Sequence, residues 1–261
     1  MDLEAYFERV GDTGDRSATL ATLQRLQRAH ATTIPFENLD IHLGRGVKID
    51  IDSVEAKLVT AKRGGYCFEQ NLLFATVLDA LGFDVARLGA RVRIGGSTTG
   101  ARTHMLLAVA IDGERWMADV GFGGAGSLGP IEIVDGSTAS HGVWTHRIVR
   151  SGSEWVLQLE QPKGWLDLYA FTDEPQLPAD YEVANHYTAT HPTSGFVLGI
   201  TAQFPGTEMQ LVLRGDQLGE YRPDGVTSTT VKDDELLAVL RDRFTLHFPA
   251  GTKFRSPNGL G

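Results

Sequence analysis

His104-Met-Leu-Leu-Ala-Val-Ala-Ile-Asp-Gly-Glu-Arg-Trp-Met-Ala-Asp119 reads as two strands joined by a two-residue turn. Asp-Gly suits the left-handed backbone that the tightest hairpins need. With Asp112 and Gly113 as the loop, residue 111 pairs with 114, and counting outward sets Leu106 opposite Asp119. Side chains alternate along a strand, so His104 shares a face with Leu106 and Asp119. The two polar residues are then diagonal neighbours, roughly 6–8 Å apart at the backbone, within reach of an imidazole–carboxylate hydrogen bond. A one-residue bulge between the strands would turn one of them away.

Upstream of this ribbon the pattern is helical. Leu3, Tyr6, Phe7 and Val10 recur at helical spacing, and Leu20, Leu23 and Leu26 follow a plausible cap at Ser17. Pro35 pushes Ile34 out of the helical region, and Val54, Leu58 and Val59 suggest a short helix. Arg63-Gly-Gly-Tyr-Cys-Phe-Glu-Gln-Asn71 opens a buried helix ended by Gly82, with the lone cysteine, Cys67, where that helix begins. A first helical turn presents unpaired N–H groups that favour thiolate over thiol. Residues 85–94 form another strand. Downstream, hairpin strands are expected at 147–149 and 155–159, a short helix at 178–187, strands at 196–201 and 209–214, and a closing helix at 233–244. The Gly/Ser-rich stretches 95–100 and 135–142 read as surface loops, and the last ten or so residues as loosely held. Helices first, strands second and a mixed end give an α+β protein with sequential subdomains.

The 261 residues suffice for a sizeable core, and 42% hydrophobic with 22% charged residues is ordinary for a soluble protein. A net charge of −9 argues against a nucleic-acid surface, and no apolar run is long enough for a membrane span. One cysteine permits no internal disulfide, and residues 1–25 show no secretory signal, which together fit the cytoplasm. The eight histidines lack a metal spacing, so no metal is expected. Gly121-Phe-Gly-Gly-Ala-Gly126 matches G-x-G-x-x-G after a strand, but Ser127-Leu-Gly-Pro130 follows where a dinucleotide site needs a helix.

A helix-start cysteine with a His–Asp pair is the equipment of thiol-based acyl transfer. The histidine takes the thiol proton and the carboxylate fixes its tautomer. In isolation each of the three residues reads more readily as structural, and it is their combination that points to chemistry. The cysteine run, Thr103-His104-Met105 and Asp119-Val-Gly-Phe-Gly123 resemble three catalytic blocks of the arylamine N-acetyltransferases. Pro35-Phe-Glu-Asn-Leu39 and the stretch Tyr181–Phe196 are similar to two further blocks, so the resemblance runs over most of the chain.

That resemblance implies a catalytic triad of Cys67, His104 and Asp119 in a cysteine-protease-like core, and ping-pong acetyl transfer through a thioester. It implies acetyl-CoA as cosubstrate, no tightly bound cofactor, and an arylamine or arylhydrazine as acceptor. It also implies a helical bundle over 1–84, a β-barrel-like domain over 85–188 and an α/β lid over 189–261. Phe36, Phe122 and Phe196 are implied at the acceptor pocket, Thr103, Gly123 and Gly124 near CoA, and Arg63 paired with Glu37 beneath the nucleophile. A related amide synthase acting on a polyketide-type chain, a thiol hydrolase with the same triad, and a binding protein keeping the triad as a relic remain the alternatives. The sequence leaves the oligomeric state open.

Overall fold

In the computed structural model, residues 1–96 and 98–255 are described. Ser97 of the 95–100 loop and residues 256–261 of the loosely held end lie outside the described residues.

The chain starts with α1 (Leu3–Val10) and α2 (Leu20–Thr33), then β1 (Phe36–Glu37), α3 (Leu39–His42) and α4 (Ile51–Glu55), which widens into a π-turn at Ala56–Thr60. The helix α5 (Cys67–Ala80) follows. Thr19, not Ser17, caps α2: its side chain accepts from Thr22 N–H, whereas the Ser17 hydroxyl donates to Asp15. Ten of the 14 residues of α5 are buried, so it is a central helix that reaches solvent only along a narrow stripe ending at Asp79 and Ala80.

Eight antiparallel strands come next: β2 (Asp84–Val92), β3 (Arg102–Ile111), β4 (Glu114–Ala118), β5 (Ile131–Glu132), β6 (Thr138–His141), β7 (Trp144–Ser151), β8 (Glu154–Gln161) and β9 (Gly164–Pro175). Their order is β5-β4-β3-β2-β9-β8-β7-β6, and β5 returns against β6 and β7 so that the sheet nearly closes into a barrel. Part of the 135–142 stretch read as a loop is therefore strand β6, laddered on β7. The 112–113 turn has positive φ at both residues, and Leu107 faces Ala118, the register counted out from that turn. The odd positions of β3 (Met105, Leu107, Val109) pack into the helical core, and the even ones (Leu106, Ala108) into the barrel. This strand is the wall between the two cores.

The chain closes with α6 (Pro178–Thr190), α7 (Gly195–Leu198), β10 (Thr201–Phe204), β11 (Gln210–Arg214), β12 (Gln217–Arg222), β13 (Gly225–Thr230) and α8 (Leu236–Phe244). The expected strand at 196–201 is a helical turn for its first half, because the Ser194 hydroxyl caps Phe196 N–H. Strand begins at Thr201. The five-stranded sheet runs β1-β10-β11-β12-β13, so the N-terminal segment donates an edge strand to it. Leu240 and Phe244 of α8 pack on its Leu211, Leu213 and Leu218. The architecture is α+β, with helices, barrel-like sheet and a final sheet-and-helix unit each holding an apolar core.

Candidate active site

Cys67 is the first residue of α5 and is buried, unpaired in any disulfide. The Gly64-Gly65 pair nearby lies against β1: a side chain at Gly64 would strike the Pro35 carbonyl oxygen. Glu69, three residues into the cysteine turn, accepts from Tyr66 N–H at 3.0 Å and so fixes where the helix begins. On the other side, Gly121 is in backbone contact with the nucleophile turn, since a Cβ there would sit 2.7 Å from Cys67 Cα.

β3 brings the histidine to this sulfur through a bulge. Ala90 pairs with His104 but Arg91 pairs with Arg102, which leaves Thr103 as the extra residue. The Thr103 carbonyl, freed from the ladder, accepts from Cys67 Sγ at 3.6 Å. The bulge lies on the β2 side of β3, and the ladder with β4 keeps its register up to the Leu107–Ala118 pair.

His104 Nε2 donates to Asp119 Oδ2 at 2.7 Å, with the side chains 3% and 2% exposed. Asp119 receives three more hydrogen bonds. Asn71 Nδ2 (2.9 Å) and Gly121 N–H (2.8 Å) donate to Oδ1, and the Tyr169 hydroxyl (2.9 Å) donates to Oδ2. Burial alone would raise the Asp119 pKa, but His104 and these donors hold it below the ordinary carboxylate value. Burial likewise pulls the imidazole down, and the charge of Asp119 and its hydrogen bond to the ring outweigh it, so its pKa is raised. With Nε2 occupied by Asp119, Nδ1 is the ring nitrogen left for Cys67. The ring is clamped between Phe122 (5.0 Å, edge-on) and Tyr169 (4.8 Å).

Asn71 and Tyr169 are the residues that the sequence reading did not single out. Asn71 lies one turn after Cys67, and its amide ties Met105 O, Asp119 Oδ1 and Val120 N–H together. Its place four residues after the cysteine was a usable signal. Tyr169 comes from β9, distant in sequence, with no local sign of its partner.

Beneath the nucleophile lies a buried ionic cluster. Arg63 donates to Glu37 (2.6 Å) and Asp40 (3.3 Å), and Lys57 meets Glu69 (2.7 Å) and Asp40 (2.9 Å). The expected Arg63–Glu37 pair is thus one edge of a larger ring. Burial pushes the Glu69 pKa up to about 7 despite the lysine.

Of the other predicted residues, Phe36 and Phe196 meet at 5.9 Å, while Phe122 packs on His104 instead. Gly123 has φ +78°, and a Cβ on it would lie 2.5 Å from Gln203 Oε1 and 3.3 Å from the Phe36 ring. Gly124 N–H already donates to Gln203 Oε1 at 2.9 Å, so that amide is not free for a ligand. A cavity of about 100 Å³ behind α5, lined by Phe68, Leu72, Met105 and Tyr181, includes none of the predicted site residues. Among the described residues, no group of three or more His, Cys, Asp or Glu is placed to hold a metal. No described helix is long and apolar enough to cross a membrane.

A thiol at a helix start beside a buried imidazole–carboxylate pair is a constellation able to carry an acyl group on sulfur. The comparisons with known proteins give the class a family. A sequence profile described as N-acetyltransferase matches residues 19–252. The arylamine N-acetyltransferase of Mycolicibacterium smegmatis is 40% identical over 228 residues, 85% of this chain and 83% of that one. The crystal structure of the Nocardia farcinica arylamine N-acetyltransferase superposes with a TM-score of 0.90 at 40% identity, covering 95% of this chain and 90% of the other. That of the Mycobacterium marinum enzyme in complex with CoA gives 0.89 at 34% identity, covering 94% and 93%. The chain belongs to the arylamine N-acetyltransferase family and is an acyltransferase.

Proposed function

We propose that the protein transfers acetyl from acetyl-CoA to arylamines and arylhydrazines in two half-reactions through an acetyl-Cys67 thioester. The observation that carries this reading is the four-donor shell around Asp119, which locks His104 with one ring nitrogen on the carboxylate and the other left for the sulfur. His104 takes the Cys67 proton, and the sulfur attacks the acetyl carbonyl. Expelled CoA thiolate recovers the proton from the imidazolium. The amine then attacks the thioester, gives a proton to His104, and Cys67 leaves. Cys67 and Phe68 N–H, at the open start of α5, are the donors proposed for the oxyanion.

The work divides over three units. Residues 1–84 supply the nucleophile, 85–188 the His–Asp pair and the Phe122–Gly124 turn, and 189–261 the Gln203 and Phe196 side of the site. Phe36 and Phe196, 5.9 Å apart and inclined at 45°, offer an apolar angle of two ring faces to an aryl group, and Phe122 packs edge-on against the imidazole. Thr103 and the Gly123-Gly124 turn are assigned to CoA on the family resemblance, while glycine itself is required there by packing, because side chains would strike Gln203 or Val212. The marinum enzyme, crystallised with CoA, supports a CoA thioester as donor. A cytoplasmic location fits the single unpaired cysteine.

Steady-state kinetics with acetyl-CoA and a small arylamine panel test the proposal. Parallel double-reciprocal lines and N-acetylarylamine product are expected. Release of acetate at the same rate with and without amine would identify a hydrolase instead, and use of a bulky acyl chain with no turnover of acetyl-CoA an amide synthase.

A further inference from the structure

β13, Gly225-Val-Thr-Ser-Thr-Thr230, is an edge strand, and all six of its residues are exposed. Natural edge strands carry charge, proline or a bulge that discourages pairing with another strand. β13 has none of these: it is uncharged, pairs with β12 without a register shift, and is rich in Thr, Ser and Val.

Its hydrogen-bond phase is fixed. Val231 N–H donates to Asp216 O at 2.7 Å, continuing the ladder in which Gln217 faces Thr230. Odd residues of β13 therefore turn their backbone groups to β12, and Val226, Ser228 and Thr230 present theirs outward. A two-fold axis through Ser228 would make Ser228 pair with itself and Val226 with the partner's Thr230, all in the closely spaced arrangement, for about six backbone bonds.

One further step along that register sets Asp224 opposite the partner's Lys232, twice by symmetry. Both side chains are exposed, and neither enters an ion pair among the described residues. In a chain of net charge −9, a neutral strand flanked by one acid and one base at symmetric distances is self-complementary.

We propose that two copies of the chain associate through antiparallel β13–β13 pairing about Ser228, joining their five-stranded sheets into one continuous sheet. The junction is smaller than the ~1,200 Å² of a standard stable interface, so association is weak, in the micromolar range or above.

Sedimentation velocity from about 1 to about 500 μM tests it, a range chosen to bracket micromolar affinity. The wild type is expected to pass from monomer to dimer. Ser228→Pro removes an outward N–H without touching the β12 ladder, and should stay monomeric with an unchanged circular dichroism spectrum and melting temperature. Lys232→Glu places like charges together at both ends and should weaken association about tenfold, and Asp224→Lys with Lys232→Glu should restore it. A wild type monomeric throughout, a Ser228→Pro variant that dimerises equally, or a charge swap that fails to restore association each overturns the proposal.

Discussion

Asp119→Asn is a more informative perturbation than alanine, because the side-chain amide has only one orientation that its surroundings can satisfy. Asp119 accepts four hydrogen bonds: Asn71 Nδ2 and Gly121 N–H on Oδ1, His104 Nε2 and the Tyr169 hydroxyl on Oδ2. Asn71 Nδ2 and a backbone N–H are obligate donors, so an NH2 group cannot face them. The new amide must point its nitrogen at His104 and Tyr169. Tyr169 can yield, because Met117 Sδ lies 3.1 Å from its hydroxyl and can take its proton. His104 must then accept at Nε2, which moves its proton to Nδ1, the nitrogen left for Cys67.

In that tautomer the ring cannot take the thiol proton. The equivalent trap in serine proteases costs about 10⁴ in turnover, and a loss of about 10³–10⁴ in the acetylation rate of Cys67 is expected here. Of the four charge-assisted hydrogen bonds, two become neutral, one is reversed and one is lost to Met117, a cost of several kcal/mol, so the variant's melting temperature is measured alongside its rate. Single-turnover mixing with acetyl-CoA, followed by quench and intact mass, reads the rate directly. A variant acetylated at more than a tenth of the wild-type rate would refute the tautomer argument. Alkylation of Cys67 by iodoacetamide should slow in parallel.

Tyr169→Phe keeps the ring packed on His104 and removes one donor from Asp119. Loss of about 1.5–3 kcal/mol of carboxylate hydrogen bonding, if fully expressed in the transition state, lowers kcat/KM for acylation about 10–100-fold. An unchanged rate would mean that the other three donors suffice. Gly121→Ala pushes a methyl to 2.7 Å from Cys67 Cα and 2.6 Å from Asn71 Nδ2, so melting temperature and acylation should fall together. Wild-type stability with full activity would show that the contact is slack.

Stability should peak between about pH 6 and 7, because groups on both sides titrate. Burial depresses the pKa of His30 and of His146 to about 4, so the unfolded chain binds their protons first and stability drains away as pH falls from 6.5 towards 4. Glu69 has the opposite sign, losing its contribution between about 4.5 and 7, and His104, held above its ordinary value by Asp119 against burial, loses its own as pH rises above 6.5, which sets the alkaline slope. Urea melts across pH 4.5–8 should show both slopes, and His146→Gln should flatten the acid one. A flat profile would contradict the assignment.

The ribbon geometry was legible because a two-residue Asp-Gly turn fixes register without outside help, and the His–Asp diagonal follows from counting. Helical segments announced themselves by apolar spacing. β13 gave no such signal, since a strand exposed on both faces has no apolar alternation to display. Part of β9 is buried on both faces over Leu168–Phe171, a run too short to separate strand from helix by periodicity. The Thr103 bulge was invisible because it arises from mismatched pairing with β2, a property of two strands rather than of one. Only one pair of the ionic ring under Cys67 is visible in the sequence, because Lys57 and Asp40 reach it from separate helices.

Peptide-mapped intact mass after mixing with acetyl-CoA in the absence of any amine is the most direct measurement. One acetyl group on Cys67, removed on adding an arylamine with appearance of the N-acetyl product, is the expected result. No acylation of Cys67, or acetyl transfer that persists in Cys67→Ala, would contradict the account.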